Sequence, residues 1–235
     1  MRVPDLLAVL LLLTGGVSSA WSKKLTPAAA VTGVLIGCAI YAGGGYPGLL
    51  LLALFFILGT AATSWKKEKK LALKGNAAHQ STRTPGQVAA NAAVAALAGI
   101  ACLLFPENKP LFLMGLAASL SSATADTLSS ELGTIYGRRF YHLLTLQRDE
   151  RGLDGVVSIE GILIGIAGSA IIAASFTLST HWSSRAFILI ILAGTIGNLT
   201  DSFLGAILER KGLIGNNTVN FLNTLTAALF ALALY

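Results

Sequence analysis

Eight apolar runs divide this chain, and polar, mostly basic segments separate them. The runs are residues 6–20, 27–42, 46–65, 86–105, 111–135, 156–178, 186–208 and 218–235. A run of about 20 apolar residues reaches across the ~30 Å hydrocarbon core of a bilayer as a helix. No backbone group can be left unpaired there, so the spans are helices or a closed barrel. These runs are too long and too continuous for barrel strands. The expected fold is all-α: a polytopic transmembrane bundle of about eight helices in one integral membrane domain over residues 1–235. Only 12% of the 235 residues are charged, about half the share of a soluble domain.

Loop charge sets the orientation. The segments after runs one, three, five and seven carry fourteen of the seventeen Lys and Arg residues. Arg2, Lys109 and Arg185 lie on the other side. By the positive-inside rule the basic loops are cytoplasmic and both termini are outside. Trp21 and Trp65 fall at the inner interface and Trp182 at the outer one. The first run ends in Ser18-Ser19-Ala20, as a signal peptide would. Lys23 and Lys24 follow it, however, and the reading is a retained helix. The expected location is a prokaryotic plasma (inner) membrane. The net charge of +6 belongs with anionic lipid rather than nucleic acid. Cys38 and Cys102 sit apart in apolar runs and form no C-x-x-C pattern.

Asp126 and Asp201 break the apolar pattern. Each is followed by a hydroxyl residue, Thr127 or Ser202, inside a hydrophobic run. A carboxylate at that depth is costly and marks a functional site. The topology then places nearly all the polar helix residues at the cytoplasmic end. Helix four brings Arg83, Gln87 and Asn91 at i, i+4 and i+8. Helix five brings Asp126, Thr127, Ser130 and Glu131. Helix six is expected to begin at 155–156, with Asp154 and Ser158 one turn apart at its start, and the helix starts at Gly155 and Asn216 are expected to point amide donors at the same region. Helix seven ends with Asn198, Asp201, Ser202 and Glu209. Helix eight begins with Asn216, Asn217 and Asn220, and Asn223 shares their face. The outer halves of these helices are Ala, Leu, Ile, Gly and Phe.

Hard oxygen donors beside arginines suit phosphate and a divalent cation. Asp126, Asp201 and Asp154 are the candidate Mg²⁺ ligands. Arg83, with Arg138 and Arg139 of the following loop, is the candidate phosphate clamp. The Lys66–Lys74 run is read as a topology signal and not as a site. A transporter of a phosphate-bearing or cationic solute is the alternative, since it too needs carboxylates in the membrane. It would carry polar residues on towards the outer face, whereas these stop halfway.

The ordered motifs carry a resemblance. They are Arg83-Thr84 with Gln87 and Asn91, Ala125-Asp126-Thr127 through Ser130-Glu131-Leu132-Gly133, Gly155-Val156-Val157-Ser158 with Gly161, Asp201-Ser202-Phe203-Leu204-Gly205, and Asn217 with Asn220-Phe221. Together they resemble the integral-membrane family that includes plant phytyl-phosphate kinase and transmembrane protein nineteen. The likeness covers residues 83–235, a five-helix core; the three helices of residues 1–65 match only in hydrophobicity. It implies a phosphotransferase that converts an isoprenyl or phytyl monophosphate, a membrane lipid, to the diphosphate. The implied co-substrate is a nucleoside triphosphate, CTP rather than ATP, and Mg²⁺ is implied with it. Asn217 stands where the family pattern leads one to expect an acid, which would remove one metal ligand. The sequence does not fix the isoprenoid or the oligomeric state.

Overall fold

A computed structural model describes residues 3–74 and 82–235. Arg2 and residues 75–81 of the basic loop lie outside the described residues. The described chain forms eight helices: α1 (Val3–Trp21), α2 (Pro27–Ser64), α3 (Lys67–Lys74), α4 (Pro85–Leu104), α5 (Lys109–Tyr136), α6 (Ile159–Ser179), α7 (Ser184–Leu204) and α8 (Asn216–Leu234). Six of these elements are long and apolar enough to cross a membrane, and α1 is a shorter apolar helix.

Apolar runs two and three are the two arms of α2. The helix breaks at Gly45, whose φ of +61° lies in the left-handed region that suits glycine. The chain reverses there. Lys24 Nζ, before the first arm, donates to Ser64 Oγ, at the end of the second, at 2.8 Å. Phe56 of the second arm packs on Leu25, Ala29 and Ala30 beside the first. Pro47 opens the returning arm, where a missing N–H costs nothing. The turn presses on α4: a methyl group at Gly43 would land on the Gly99 carbonyl, and one at Gly99 would lie 2.6 Å from the Ala39 carbonyl oxygen.

α5 is the central element and packs against α2, α4, α6, α7 and α8. Its residues from Met114 to Ala125 are all buried, and most are Ala or Ser. Small side chains let helix backbones approach closely where lipid supplies no hydrophobic drive between helices. The same device recurs on its partners. Gly161 and Gly165 of α6 lie against the Ser129 and Ala125 carbonyls, and Gly194 and Gly197 of α7 lie against Ser121 and Ser122.

The helix ends sort into two layers. The α1–α2 connection, the end of α2, the entry to α4, the end of α5 with the loop after it, and the α7–α8 connection share one layer. Thr26 N donates to the Arg83 carbonyl at 3.1 Å, and Trp65 Nε1 donates to the Tyr136 hydroxyl at 2.9 Å. The Gly45 turn, the α4–α5 and α6–α7 connections and both chain ends form the other layer. Arg185 there donates to the Leu234 carbonyl at 2.9 Å. Loops of the first layer hold the fourteen Lys and Arg residues counted above.

The loop after α5 is not purely irregular. Tyr141–His142 (β1) and Val156–Val157 (β2) pair antiparallel. Helix six accordingly starts at Ile159 and not at 156. Two β-branched residues favour extended backbone, and Ser158 caps the helix by accepting from Gly161 N at 3.0 Å. Asp154 and Gly155 therefore precede a strand rather than a helix, and Gly155, at φ +74°, does not offer a helix N-terminus.

α3 corrects the reading of the basic loop. Lys70 is fully buried. Its ammonium donates to the Ala62 and Thr63 carbonyls at 2.7 and 2.9 Å and pairs with Glu131 of α5 at 2.5 Å. It thus closes the open carbonyls at the end of α2 and ties that end to α5.

Two outcomes are expected. Gly99→Leu overpacks the α2–α4 crossing and lowers stability by about 1–3 kcal/mol or more. Gly15→Leu, where an added Cβ meets nothing within 4 Å, leaves the thermal midpoint in detergent near wild type; equal midpoints for the two would contradict the crossing. Lys70→Met takes the lysine from Glu131 and from the Ala62 and Thr63 carbonyls and costs about 1–3 kcal/mol or more. Lys70→Met with Glu131→Leu recovers part of the loss, since the carbonyls stay uncapped, and a double variant no better than the single one would show that the pair does not hold α3.

Candidate functional site

The polar ends of α4, α5, α7 and α8 and the β1–β2 loop enclose a cavity of about 330 Å³. Arg83, Gln87, Asn91, Asp126, Thr127, Ser130, Glu131, Asp154, Ser158, Asn198, Asp201, Ser202, Asn216 and Asn220 all line it. With Gly161 of α6, five helices that are far apart in sequence converge there, from Arg83 to Asn220, as the topology requires. Three expected residues do not join them. Arg138 and Arg139 are exposed on the loop, and Asn217 turns towards Gly86 at the start of α4. The acid expected at position 217 would therefore not have reached the cavity from this orientation. Glu209, Thr63, Ser129 and Thr134 line it in addition.

At its centre Asp126 of α5 and Asp201 of α7 face each other within hydrogen-bonding reach. Asn223 Nδ2 donates to Asp201 Oδ1 at 2.7 Å, and Asn223 Oδ1 accepts from Ser122 Oγ at 3.1 Å. This chain of bonds joins α5, α7 and α8 and fixes the Asp201 carboxylate. Beyond Gly205 the helix continues as a single π turn over Gly205–Glu209, a feature common at functional sites. The turn brings Gly205 onto Gly155 of the loop and carries Glu209 to the cavity wall.

Several polar groups serve the walls rather than the space inside. Gln87 Oε1 accepts from Thr84 N at 2.9 Å in a capping box. Ser158 caps α6. Asn91 and Asn220 each spend their amide N–H₂ on their own helix, at 2.9 Å to the Gln87 carbonyl and 3.3 Å to Asn216 Oδ1. Their carbonyl oxygens, Asn91 Oδ1 and Asn220 Oδ1, are buried without a protein partner. An orphaned acceptor in a buried site calls for a ligand or water to satisfy it.

The cavity is acidic: Asp126, Glu131, Asp154, Asp201 and Glu209 line it, Glu131 is paired with Lys70, and among its described lining residues Arg83 brings the one guanidinium. Arg83 lies over the Phe55 ring at 5.5 Å. Burial pulls its pKa below the usual value, and the Glu131 carboxylate opposes that shift. The loop arginines act elsewhere. Arg151 stacks on Phe140 at 4.6 Å and donates to the Gly137 carbonyl at 3.2 Å. Arg210 pairs with Asp149 at 2.7 Å, which ties the loop to the end of α7 and holds the Asp149 carboxyl below its usual range.

These donors suit Mg²⁺. Two facing carboxylates, with two free amide oxygens in the same cavity, are the hard-oxygen set from which Mg²⁺ takes one or two protein carboxylates and fills the rest with water and phosphate. Asp154 lines the same cavity. Among the described residues no three His, Cys, Asp or Glu form a ready-made metal cluster, so water and phosphate would complete the shell.

Known proteins resemble the chain along most of its length. The family model described as "Integral membrane protein DUF92" matches residues 9–228. The uncharacterized membrane protein MJ0933 of Methanocaldococcus jannaschii is 33% identical over 191 residues, covering 81% of this chain and 77% of its own. The uncharacterized membrane protein sll0875 of Synechocystis is 33% identical over 214 residues, covering 90% and 83%. Protein VTE6, chloroplastic, of Arabidopsis thaliana is 29% identical over 208 residues, covering 84% and 61%. No solved structure matches. The chain is a member of the DUF92 family of integral membrane proteins.

Proposed function

We propose that the protein is a Mg²⁺-dependent membrane phosphotransferase. It moves the terminal phosphoryl group of a nucleoside triphosphate, CTP in our reading, to an isoprenyl or phytyl monophosphate. The observation that carries this is the acidic cavity at one end of the bundle, with Asp126 and Asp201 face to face and one arginine beside them. Such a cavity repels bare phosphates, so a divalent cation is the counter-charge that lets it accept them. The resemblance supplies the reaction class. Fourteen of seventeen Lys and Arg residues at the cavity end favour a site that faces the cytoplasm, where nucleotide is found.

The reaction needs no general base. An oxygen of the lipid phosphate, already anionic, attacks the terminal phosphorus. The bond to the bridging oxygen breaks, and nucleoside diphosphate leaves with that oxygen's charge. Positioning and charge neutralisation supply the catalysis. Bound Mg²⁺ would be held by Asp126 and Asp201 and would neutralise charge on the phosphates. Asn223 keeps Asp201 aimed at Asp126. Arg83 directs its fork at an acceptor-phosphate oxygen. The β1–β2 loop roofs the cavity and limits competing attack by water. Beneath it, Leu116, Ala117, Leu120, Ile172, Ile190 and Ala193 pack solidly. That plug favours one-sided access over a route through the membrane.

Purified protein in detergent is expected to form lipid diphosphate from nucleotide and lipid phosphate only with Mg²⁺. Asp126→Asn and Asp201→Asn should each lower turnover by about a hundredfold or more, with thermal midpoints at or above wild type because a carboxylate facing another is removed. Turnover retained by both variants would exclude them as ligands. Solute uptake by proteoliposomes with no lipid diphosphate formed would favour a transporter.

A further inference from the structure

A second cavity, of about 740 Å³, lies between α1, both arms of α2 and α4. Its walls are almost wholly apolar, and they include Gly15, Gly33, Val34, Leu52, Phe56 and Val88. Its polar end is formed by Arg83, Gln87 and Asn91, and the same three residues line the acidic cavity. These three residues stand between the two spaces. The far end is Tyr46 and Pro47, at the α2 turn. The Arg83 guanidinium abuts Gly59. From Gly59 to Tyr46 the helix rises ~20 Å, which exceeds the ~15 Å hydrocarbon depth of one leaflet.

Building on the phosphotransferase reading, we propose that this channel holds the hydrocarbon chain of the lipid monophosphate. The phosphate passes between Arg83, Gln87 and Asn91 into the acidic cavity. Its ~20 Å length and its apolar walls suit an extended hydrocarbon chain. Tyr46 and Pro47 close the floor and set the longest chain that fits. This also gives α1 and α2, which lack the motifs of the core, a role as the chain-binding part of the enzyme. Gly15 and Gly33 leave the channel open: an added Cβ at Gly15 meets nothing within 4 Å, and one at Gly33 meets only Val88 Cγ1, at 3.9 Å. Larger side chains there would point into the space without disturbing the helices.

Two measurements on the full-length protein test this. A twenty-carbon isoprenyl monophosphate bearing a mid-chain diazirine is photolysed with the protein, and the labelled peptides are identified. Label is expected on α1, on the α2 arms and at Val88. Label confined to outward residues such as Leu35 and Leu103, as a bulk membrane lipid would give, overturns the channel. Next, kcat/KM is compared for five- and twenty-carbon isoprenyl phosphates. In Gly15→Leu and Gly33→Leu the ratio of the twenty-carbon to the five-carbon value should fall at least about tenfold, because buried chain is displaced. An unchanged ratio places the chain elsewhere. Label in the channel without turnover would leave the channel standing and sink the phosphotransferase reading. Turnover with label elsewhere would do the reverse.

Discussion

The structure turns on the contact between Asp126 and Asp201. Two carboxyl groups facing each other inside a bundle of apolar helices cannot both stay ionised without a cation or a proton between them. Much of the fold can be read as the means of holding them together. Asn223 bonds Asp201 at 2.7 Å and takes a bond from Ser122. Ser122 in turn fits only because Gly197 of α7 has no side chain. Glycines at 161, 165 and 194 draw α6 and α7 onto α5 in the same way. A helix as buried as α5 could have been all leucine. It is instead mostly alanine and serine through its middle, and that brings the backbones near enough for the acids to meet.

The architecture was largely legible because lipid restricts what a chain can do. Apolar runs of spanning length had to be helices, and loop charge sorted their ends into the two layers found. The acidic pair was legible because carboxylates in such runs are conspicuous. Other features depended on geometry that no local pattern carries. Lys70 sits in a run of lysines, and its partner Glu131 lies 61 residues away, so nothing in the run marks it as the one that turns inward. Asn223 was visible on the polar face of α8, but its bond to Asp201 depends on the rotation of α8 against α7. Arg138 and Arg139 follow α5 directly, and their charge suggested the cavity. The β1–β2 pairing instead sends the chain over the opening with these side chains outward. Two valines beside a capping serine were the available sign that helix six starts late.

The two cavities divide the chain in a way its motifs anticipate. The motif-bearing residues, from Arg83 onwards, build most of the acidic space. The earlier residues build most of the apolar space. The family model matches from residue 9, so the likeness takes in α1 and α2 as well and is not confined to the five-helix core. Arg83, Gln87 and Asn91 belong to both cavities. The Gly45 turn matters here as well, since it both folds α2 into two walls and closes the far end of the channel.

If Asp126 and Asp201 form a divalent-cation site within the bundle, electron paramagnetic resonance of Mn²⁺, which accepts the same hard oxygen ligands as Mg²⁺, reads it out. With purified protein and no nucleotide, which would itself chelate the ion, the free Mn²⁺ signal is expected to fall at stoichiometric protein and to return in Asp126→Asn and in Asp201→Asn. Free Mn²⁺ throughout, or binding that both variants retain, would mean that the two carboxylates hold no cation.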